Sequence, residues 1–404
     1  MQRQTPYRTL LSVATLAGVA TQSLNAGAQQ ACPEEQAPAL NCPDGNVRQP
    51  GSILITGNLG SGLVGVVSVD PAGTEADVFV HSSWSGHDIG NIHPVPHSPK
   101  EQFVLTGIQG SYGIHRLDQC GQTAEVGYGG LAVQGQYKGF AVDSASGDLI
   151  VSSQIEKLHT ADPPQPPRHE YFRIAADGSG FSTFTTELDS LVYEGADSRV
   201  SGAMTYDSQG TLWQSGYGQE SLTSITHAQL LQDVPQESFH RVGVGRGLNA
   251  LGYDGRYLWG SAALGAPELY RIDPQGPAYA RTLWYTADFA TELSNGNDTR
   301  GVTVDPDGNP WVITFDNKLV KLGKDSPDTV LKVIDLKVAV PEFSSAFALG
   351  VYGVNPAGIE GRCNGLGCSV SEVGKTTGLS GLSALGLGLV LFGLARRRRF
   401  SAME

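Results

Sequence analysis

The stretch GVTVDPDGNPWVIT, residues 301–314, is an apolar strand, a turn built on Asp and Gly, and a second apolar strand carrying a Trp. Near-copies begin at Gly139 (GFAVDSASGDLIVS), Gly202 (GAMTYDSQGTLWQS) and Asn249 (NALGYDGRYLWGS). Asp hydrogen-bonds the backbone of its own turn and Gly supplies positive φ, so each copy predicts a hairpin. A second phrase alternates with the first: VVSVDPAG, GIHRLDQCG, YFRIAADGSG and LYRIDPQG, with KLVKLGKD a degenerate copy and LTSITHAQ filling the slot between the third and fourth. Markers at Asp70, Asp118, Asp177, Thr226, Asp273 and Gly323 are spaced by 48, 59, 49, 47 and 50 residues. Four short strands recurring at such a period mark a β-propeller. A β-sandwich also has short strands with regular turn signals, but it does not repeat a four-strand phrase at constant period.

Counting the phrases predicts an all-β, six-bladed β-propeller over residues 51–356, with blades near 52–80, 89–126, 139–184, 200–243, 248–285 and 301–336. The first blade lacks its opening strand, while SSAFALGVYGVNP, residues 344–356, is a strand without a blade. The C-terminal strand is therefore expected to complete blade one, leaving no open edge at the seam.

TRGVTVDPDGNPWVIT, residues 299–314, resembles the phrase that heads each blade of NHL-repeat and streptogramin-lyase-type propellers. The resemblance is close in that blade and fair over residues 199–261. Those groups include lyases, lactonase-like hydrolases and binding proteins, so the resemblance implies the fold and leaves the activity open.

Blade geometry says where a ligand would sit. The turns between first and second strands are short and share one face. The long excursions, residues 154–170, 187–198 and 286–298, collect on the other, as expected of a binding face. On that face a basic residue heads the innermost strand of four blades: Lys138, Arg199, Arg246 and Arg300. Guanidinium forks suit carboxylates and phosphates, so these residues are candidates for an anion pocket at the mouth of the central channel. The bland reading pairs them with neighbours such as Asp197 and Asp298. His81, His87, His93 and His97 crowd one stretch, and His87, in the loop entering the second blade, could serve as ligand contact or base. Their spacing is not that of a helical zinc site, and no metal site is expected. No nucleophile motif or phosphate-cradling Gly loop is present, and nothing in the residues names a cofactor.

The ends carry targeting signals. Residues 1–28 have Arg3 and Arg8, an apolar run and an Ala26-x-Ala28 exit, the pattern of a secretory signal peptide. Residues 29–50 form a Cys- and Pro-rich segment, and residues 357–377 a Gly/Ser/Thr-rich linker. Residues 378–395 are uncharged and just long enough to span a bilayer, with Arg396 to Arg399 immediately following within the 378–404 tail. A Cys motif, CNGLGC, then a Gly/Leu-rich span and an Arg cluster resemble the three-part C-terminal sorting tags of Gram-negative bacteria of the MYXO-CTERM class. That resemblance implies a sorting protease as partner, removal of the tag near Cys368, and retention on the cell surface or outer membrane. A plain transmembrane anchor facing the periplasm is the alternative.

Between residues 29 and 368 the net charge is −18, against −13 for the whole chain. Such acidity repels nucleic acid and anionic lipid, so contact with a membrane is expected only through the C-terminal segment. Five cysteines in an oxidising compartment leave one thiol over. With Cys368 as the odd one, Cys32 would pair with Cys42 and Cys120 with Cys363.

Two function classes remain. One is a surface-displayed propeller that binds an anionic small molecule, glycan or surface protein on its long-loop face. The other is an exported lyase or lactonase-type hydrolase acting on an anionic small molecule at the channel mouth.

Overall fold

The structure, a computed structural model, describes residue 42 and residues 48–81, 88–95, 98–108, 111–121, 123–125, 139–143, 146–156, 168–175, 180–188, 201–216, 221–242, 248–262, 268–276, 279, 281–286 and 299–353. It is all-β. In chain order the strands are β1 (Ile53–Leu59), β2 (Leu63–Val69), β3 (Ala76–His81), β4 (Asp88–Val95), β5 (Ser98–Ile108), β6 (Ser111–Leu117) and β7 (Thr123–Glu125). Then come β8 (Phe140–Val142), β9 (Leu149–Glu156), β10 (Arg168–Ile174), β11 (Phe181–Leu188), β12 (Ser201–Tyr206), β13 (Leu212–Gly216), β14 (Ser221–Ile225) and β15 (Gln236–Arg241). The last are β16 (Leu248–Tyr253), β17 (Leu258–Ala262), β18 (Glu268–Ile272), β19 (Arg281–Thr286), β20 (Thr299–Val304), β21 (Pro310–Thr314), β22 (Lys318–Leu322), β23 (Val330–Asp335) and β24 (Phe343–Val351).

Among the described residues four sheets are four-stranded: β4 to β7, β16 to β19 and β20 to β23 in sequence order, and one in which β24 lies beside β1, followed by β2 and β3. An eight-stranded sheet joins two further meanders, β8 to β11 and β12 to β15. They meet edge to edge through a short parallel pairing, Glu187 with Gln236 and Leu188 with Glu237. Antiparallel four-stranded meanders repeated in this way make a β-propeller.

Each hairpin turn follows from its letters. In the turn after β20, Gly308 has φ 83° and donates its N–H to the Asp305 carbonyl, while Asp305 Oδ1 accepts from the Asn309 amide at 2.9 Å. The turn after β12 repeats this: Gly210 has φ 76°, and Asp207 Oδ1 accepts from the amides of Gln209 and Thr211. The remaining carboxylate oxygen of each Asp accepts from the indole of a buried Trp on the next strand of the same hairpin, which ties the turn to the core between sheets.

The innermost strands touch their neighbours: β24 lies against β20 and β4, β4 against β8, and β12 against β8 and β16, with β16 against β20. Small residues allow this approach. A Cβ on Gly301 would stand 3.0 Å from the Leu349 amide nitrogen, and one on Gly350 would stand 2.7 Å from Ile92 Cγ2. Between sheets the gaps are filled by apolar side chains. Trp311, Ile313 and Leu319 of the β20–β23 sheet pack with Ile53, Val67, Phe343 and Leu349 of the neighbouring one. Each such side chain, fully buried, contributes about 1.5–3 kcal/mol.

The pairing of β24 with β1, from Ile53 with Val351 through Leu59 with Phe343, joins the two ends of the strand sequence in one sheet. The seam is extended outside the strands, where the Gly51 amide donates to the Tyr352 carbonyl and the Tyr352 amide to the Ser52 carbonyl.

The cysteines pair differently from the sequence expectation. Cys42 is bonded to Cys120, with Cα atoms 5.2 Å apart. This replaces both the Cys32–Cys42 and the Cys120–Cys363 pairings; Cys32 and Cys363 lie outside the described residues. The cause is the course of the segment before β1. The Arg48 amide donates to the Gln119 carbonyl, its guanidinium pairs with Asp77 at 2.9 Å, and it stacks over Phe79. Those contacts hold the segment against the turn after β6 and put Cys42 within bridging distance of Cys120. Among the described residues no helix is long and apolar enough to cross a membrane, and the proposed span at 378–395 lies outside them.

Candidate ligand site on the innermost strands

On β20 the ladder runs Thr299 with Thr314, then Gly301 with Ile313, so the register slips at Arg300 and makes it a bulge. On β24 the ladder runs Thr56 with Ala348, then Gly57 with Ala346, which leaves Phe347 in the same condition. On β16 the slip falls at Asn249, and on β12 it falls between Ser201 and Met204. A bulge re-aims the side chain of the extra residue, and bulges concentrate beside functional sites. Here they recur near the entry of innermost strands, at the end opposite the Asp turns.

Two of these bulges, on neighbouring strands, bring their side chains together. The Arg300 guanidinium carbon lies 4.2 Å from the centroid of the Phe315 ring and 6.0 Å from that of Phe347. Phe315 is 43% exposed, and Arg300 and Phe347 are half-buried. The result is a cation over the Phe315 ring with Phe347 at the edge of contact, partly open to water, near the start of the innermost strand β20. Cation–π contacts of this kind contribute about 0.5–2 kcal/mol, more as water is excluded.

Asn317 sets this geometry. It is buried and adopts φ 70°, a left-handed conformation that Asn tolerates better than most residues. Its Nδ2 donates to the Ser344 carbonyl and its Oδ1 accepts from the Ala346 amide, both at 2.9 Å. Its own backbone is held at both ends, the amide donating to the Thr314 carbonyl and the carbonyl accepting from the Leu336 amide. One side chain thus fixes the turn that carries Phe315 and the stretch of β24 that ends in the Phe347 bulge. From the other side, Thr299 Oγ1 donates to the Ala262 carbonyl at 2.9 Å and ties the residue before Arg300 to the preceding sheet.

Of the residues expected from the sequence, Arg300 is placed on an innermost strand. His87, Lys138, Arg199 and Arg246 lie outside the described residues, as do Cys368 and most of the long excursions. The register adds a positional frame. Arg300 precedes the turn residue Asp305 by five positions, as Lys138 precedes Asp143, Asn249 precedes Asp254 and Gly202 precedes Asp207. Arg199 and Arg246 precede their turn residues by eight. The sequence reading missed Phe315, Asn317, Phe347 and Asn249. The signal available for the bulged positions was the small residue that follows each: Ala203, Ala250, Gly301 and Ala348.

Other polar groupings serve the architecture. Tyr171 Oη lies 2.7 Å from Gln214 Oε1 and 3.0 Å from Glu237 Oε1, and Thr186 Oγ1 donates to Glu237 Oε2 at 2.8 Å. All four residues are buried at the join of the eight-stranded sheet. Ser224 Oγ and His240 Nε2 are 2.6 Å apart, but both are buried and the imidazole is packed against Trp213 and Tyr279. A cleft of about 610 Å³ beside the N-terminal segment is lined by Arg48, Ser52, Asp70, Glu75 and Asp77. Burial there pulls the Asp70 carboxyl upward, but hydrogen bonds from the Glu75, Thr74 and Ala72 amides and the Thr74 hydroxyl outweigh it and hold the group below the usual carboxylate range. Its oxygens are thereby engaged in its own turn. Among the described residues, no cluster of three His, Cys, Asp or Glu side chains could hold a metal ion.

No protein-family model and no curated protein sequence matches the chain. Solved structures do. A chain of a nidogen/laminin complex is 11% identical, with 75% of this chain and 98% of that one covered and a TM-score of 0.52. A protein of unknown function from Bacteroides caccae is 10% identical over 75% of this chain and 99% of that one, with a TM-score of 0.49. Streptogramin B lyase is 14% identical over 71% of this chain and 84% of that one, with a TM-score of 0.40. The likeness is one of overall fold, a β-propeller, and it assigns neither ligand nor chemistry.

Proposed function

We propose that the chain is an exported, surface-anchored, six-bladed β-propeller that binds a ligand on its long-loop face, around the mouth of the central channel. The observation that carries the binding reading is the meeting of Arg300, Phe315 and Phe347, two of them at bulges on adjacent innermost strands. Phe347 packs on one side against the core cluster around Leu54 and Ile92, and Arg300 and Phe315 lie at the partly exposed edge of that cluster, where a ligand could reach them. The count of six is supported by the eight-stranded sheet, whose two halves are each a four-stranded meander, and by the cyclic order in which innermost strands touch.

Export is supported by the Cys42–Cys120 disulfide, since such bonds persist in oxidising compartments. Anchoring rests on the sequence of the tail, with Cys368 as the residue a sorting protease would act beside. A C-terminal peptide ending near Cys368, found by mass spectrometry of surface protein from the native host, supports the sorting tag; an intact peptide containing Phe400 leaves the plain anchor.

The binding reading is tested by screening the protein against a panel of small carboxylates, phosphates, sugars and short peptides with saturation-transfer NMR. Hits are then repeated on Arg300→Ala and Phe347→Ala. Loss of the hits in both variants supports the mouth as the site, and hits indifferent to both overturn it. Turnover of a simple lactone that disappears in His87→Ala would favour the hydrolase reading instead.

A further inference from the structure

The cleft beside the N-terminal segment holds an arginine that the channel-mouth reading does not use. Three contacts lock Arg48 in place. Its amide donates to the Gln119 carbonyl, its Nη1 sits astride both oxygens of Asp77 at 2.9 Å, and its guanidinium carbon lies 4.7 Å from the Phe79 ring centroid. The side chain is 9% exposed, and Nε and Nη2 are buried with no hydrogen-bond partner among the described residues.

Those two nitrogens form one whole edge of the guanidinium, a fork that matches two adjacent acceptors. A charged donor left buried and unpaired is costly, so a molecule that brings acceptors to it gains more than surface contact. Arg48 is part of the wall of the cleft, whose volume of about 610 Å³ lies in the range of small-molecule sites. Because the fork is covered, a ligand reaches it through a side-chain shift at that wall, of the kind that commonly accompanies binding.

Paired acceptors come as carboxylates, phosphates or the neighbouring hydroxyls of a sugar. Charge decides among them. The cleft is also lined by Asp70, Glu75 and Asp77, three carboxylates against one guanidinium, and residues 29–368 carry a net −18. An anion entering it meets a repulsive field. A neutral diol does not, and its hydroxyls accept from the fork while donating to the acids. Glu75 is exposed, and Asp77, its side chain 44% exposed, keeps acceptor capacity beyond what it gives Arg48. Asp70 is spent on its own turn. Ser68, opposite Asp77 in the register of β2 and β3, joins Ser52 and Gln49 in a wall of small polar groups. A simple cation would suit the acids and leave the fork unpaired.

The cleft is separate from the mouth. A Cβ on Gly51, next to the lining residue Ser52, would stand 3.6 Å from Pro71 in the turn after β2 and 3.2 Å from Pro306 in the turn after β20. Arg300 is at the opposite end of β20.

We infer that the cleft is a second ligand site, one that takes a neutral sugar, with two adjacent hydroxyls on the Nε–Nη2 edge of Arg48 and their protons directed to Glu75 and Asp77.

The test is binding of the intact, oxidised protein to an array of neutral oligosaccharides of glucose, galactose and mannose, with their uronic-acid and sulfated counterparts. Hits are then measured by isothermal titration at low salt. Neutral members are expected to bind about tenfold more tightly than their acidic counterparts. Arg48→Lys keeps a charge beside Asp77 and loses the fork, and should weaken the neutral hits about tenfold. Glu75→Gln, at an exposed position, should weaken them about threefold and bring the acidic counterparts closer to them. If Arg48→Lys lowers the urea midpoint, Glu75→Gln decides alone, and neutral binding and discrimination both left unchanged by it overturn the inference. Absence of any neutral hit overturns it too, as do neutral hits that both variants retain, which would lie elsewhere on the propeller. Acidic counterparts that bind the unaltered protein as tightly as the neutral ones overturn the neutral class.

Discussion

Asp305 and Trp311 face each other across a single hairpin, carboxylate Oδ2 to indole Nε1, at 3.0 Å. The same bond joins Asp207 to Trp213 at 2.9 Å and Asp254 to Trp259 at 2.8 Å. In each case one carboxylate oxygen serves the turn and the other serves a tryptophan packed between sheets. At Asp305 the second oxygen also meets Lys321 Nζ at 2.8 Å. Asp305→Asn turns an acceptor into a donor facing two donors, and should cost about 2–4 kcal/mol because it leaves buried groups unpaired. Trp311→Phe, which removes one indole donor and some packing, should cost less. Urea unfolding followed by tryptophan fluorescence, or by circular dichroism for the Trp311 variant, ranks them.

The Cys42–Cys120 bond closes a loop with a sequence separation of 78 and fastens the segment before β1 to the turn after β6. In the chain-entropy account a loop of that length contributes about 4 kcal/mol, an upper figure if the reduced chain keeps Arg48 in place. Cys120→Ser and reduction by dithiothreitol should lower the urea midpoint by the same amount, and reductant should have no further effect on the variant. Equal midpoints with and without reductant would show that the ion pair and stacking of Arg48 suffice.

Tyr206 predicts the alkaline limb of the stability curve. Burial pushes its phenol well above the ordinary value; Asp143 adds to this, Arg173 opposes it, and Asp148 adds again. The phenol then stays neutral in the folded protein while the unfolded chain ionises from about pH 10. Its contribution is therefore complete below that pH and is lost as the pH climbs toward the folded value. The hydroxyl is also buried with no hydrogen-bond partner among the described residues. Tyr206→Phe should match or exceed the parent by about 1 kcal/mol at pH 7, and the gap should widen at pH 10.5. Urea midpoints at the two pH values decide it, and a variant less stable at both would contradict the assignment.

Much of the fold is legible because it is written in local chemistry. Asp305, Gly308 and Trp311 stand within one short stretch, and turn, strand and core contact all follow from their spacing. The expected pairing of the 344–356 segment with the first strands is met by β24 against β1, since a blade short of one strand and a strand short of a blade can be matched by arithmetic alone. What escapes the sequence is register. Phe347 and Asn249 are displaced by slips between two strands, and a slip belongs to neither strand by itself. Asn317 looks like an ordinary turn residue until the carbonyl of Ser344 and the amide of Ala346 arrive from a distant stretch of chain. The disulfide escaped for a related reason, because nearness along the chain favoured Cys32 for Cys42, whereas Arg48 steers that segment to Cys120.

The seam has a bearing on how the molecule is held. Gly51 and Tyr352 are hydrogen-bonded neighbours, and a Cβ at Gly51 would lie 3.2 Å from Pro306 Cγ, in the turn that follows β20. Arg300, Phe315 and Phe347 are at the other end of those same strands. Chain therefore enters and leaves the propeller side by side, on the side remote from the aromatic-flanked arginine. A tether attached through either end would grip the molecule from behind, and the channel mouth would look outward like a dish on its mast, free to meet what diffuses past.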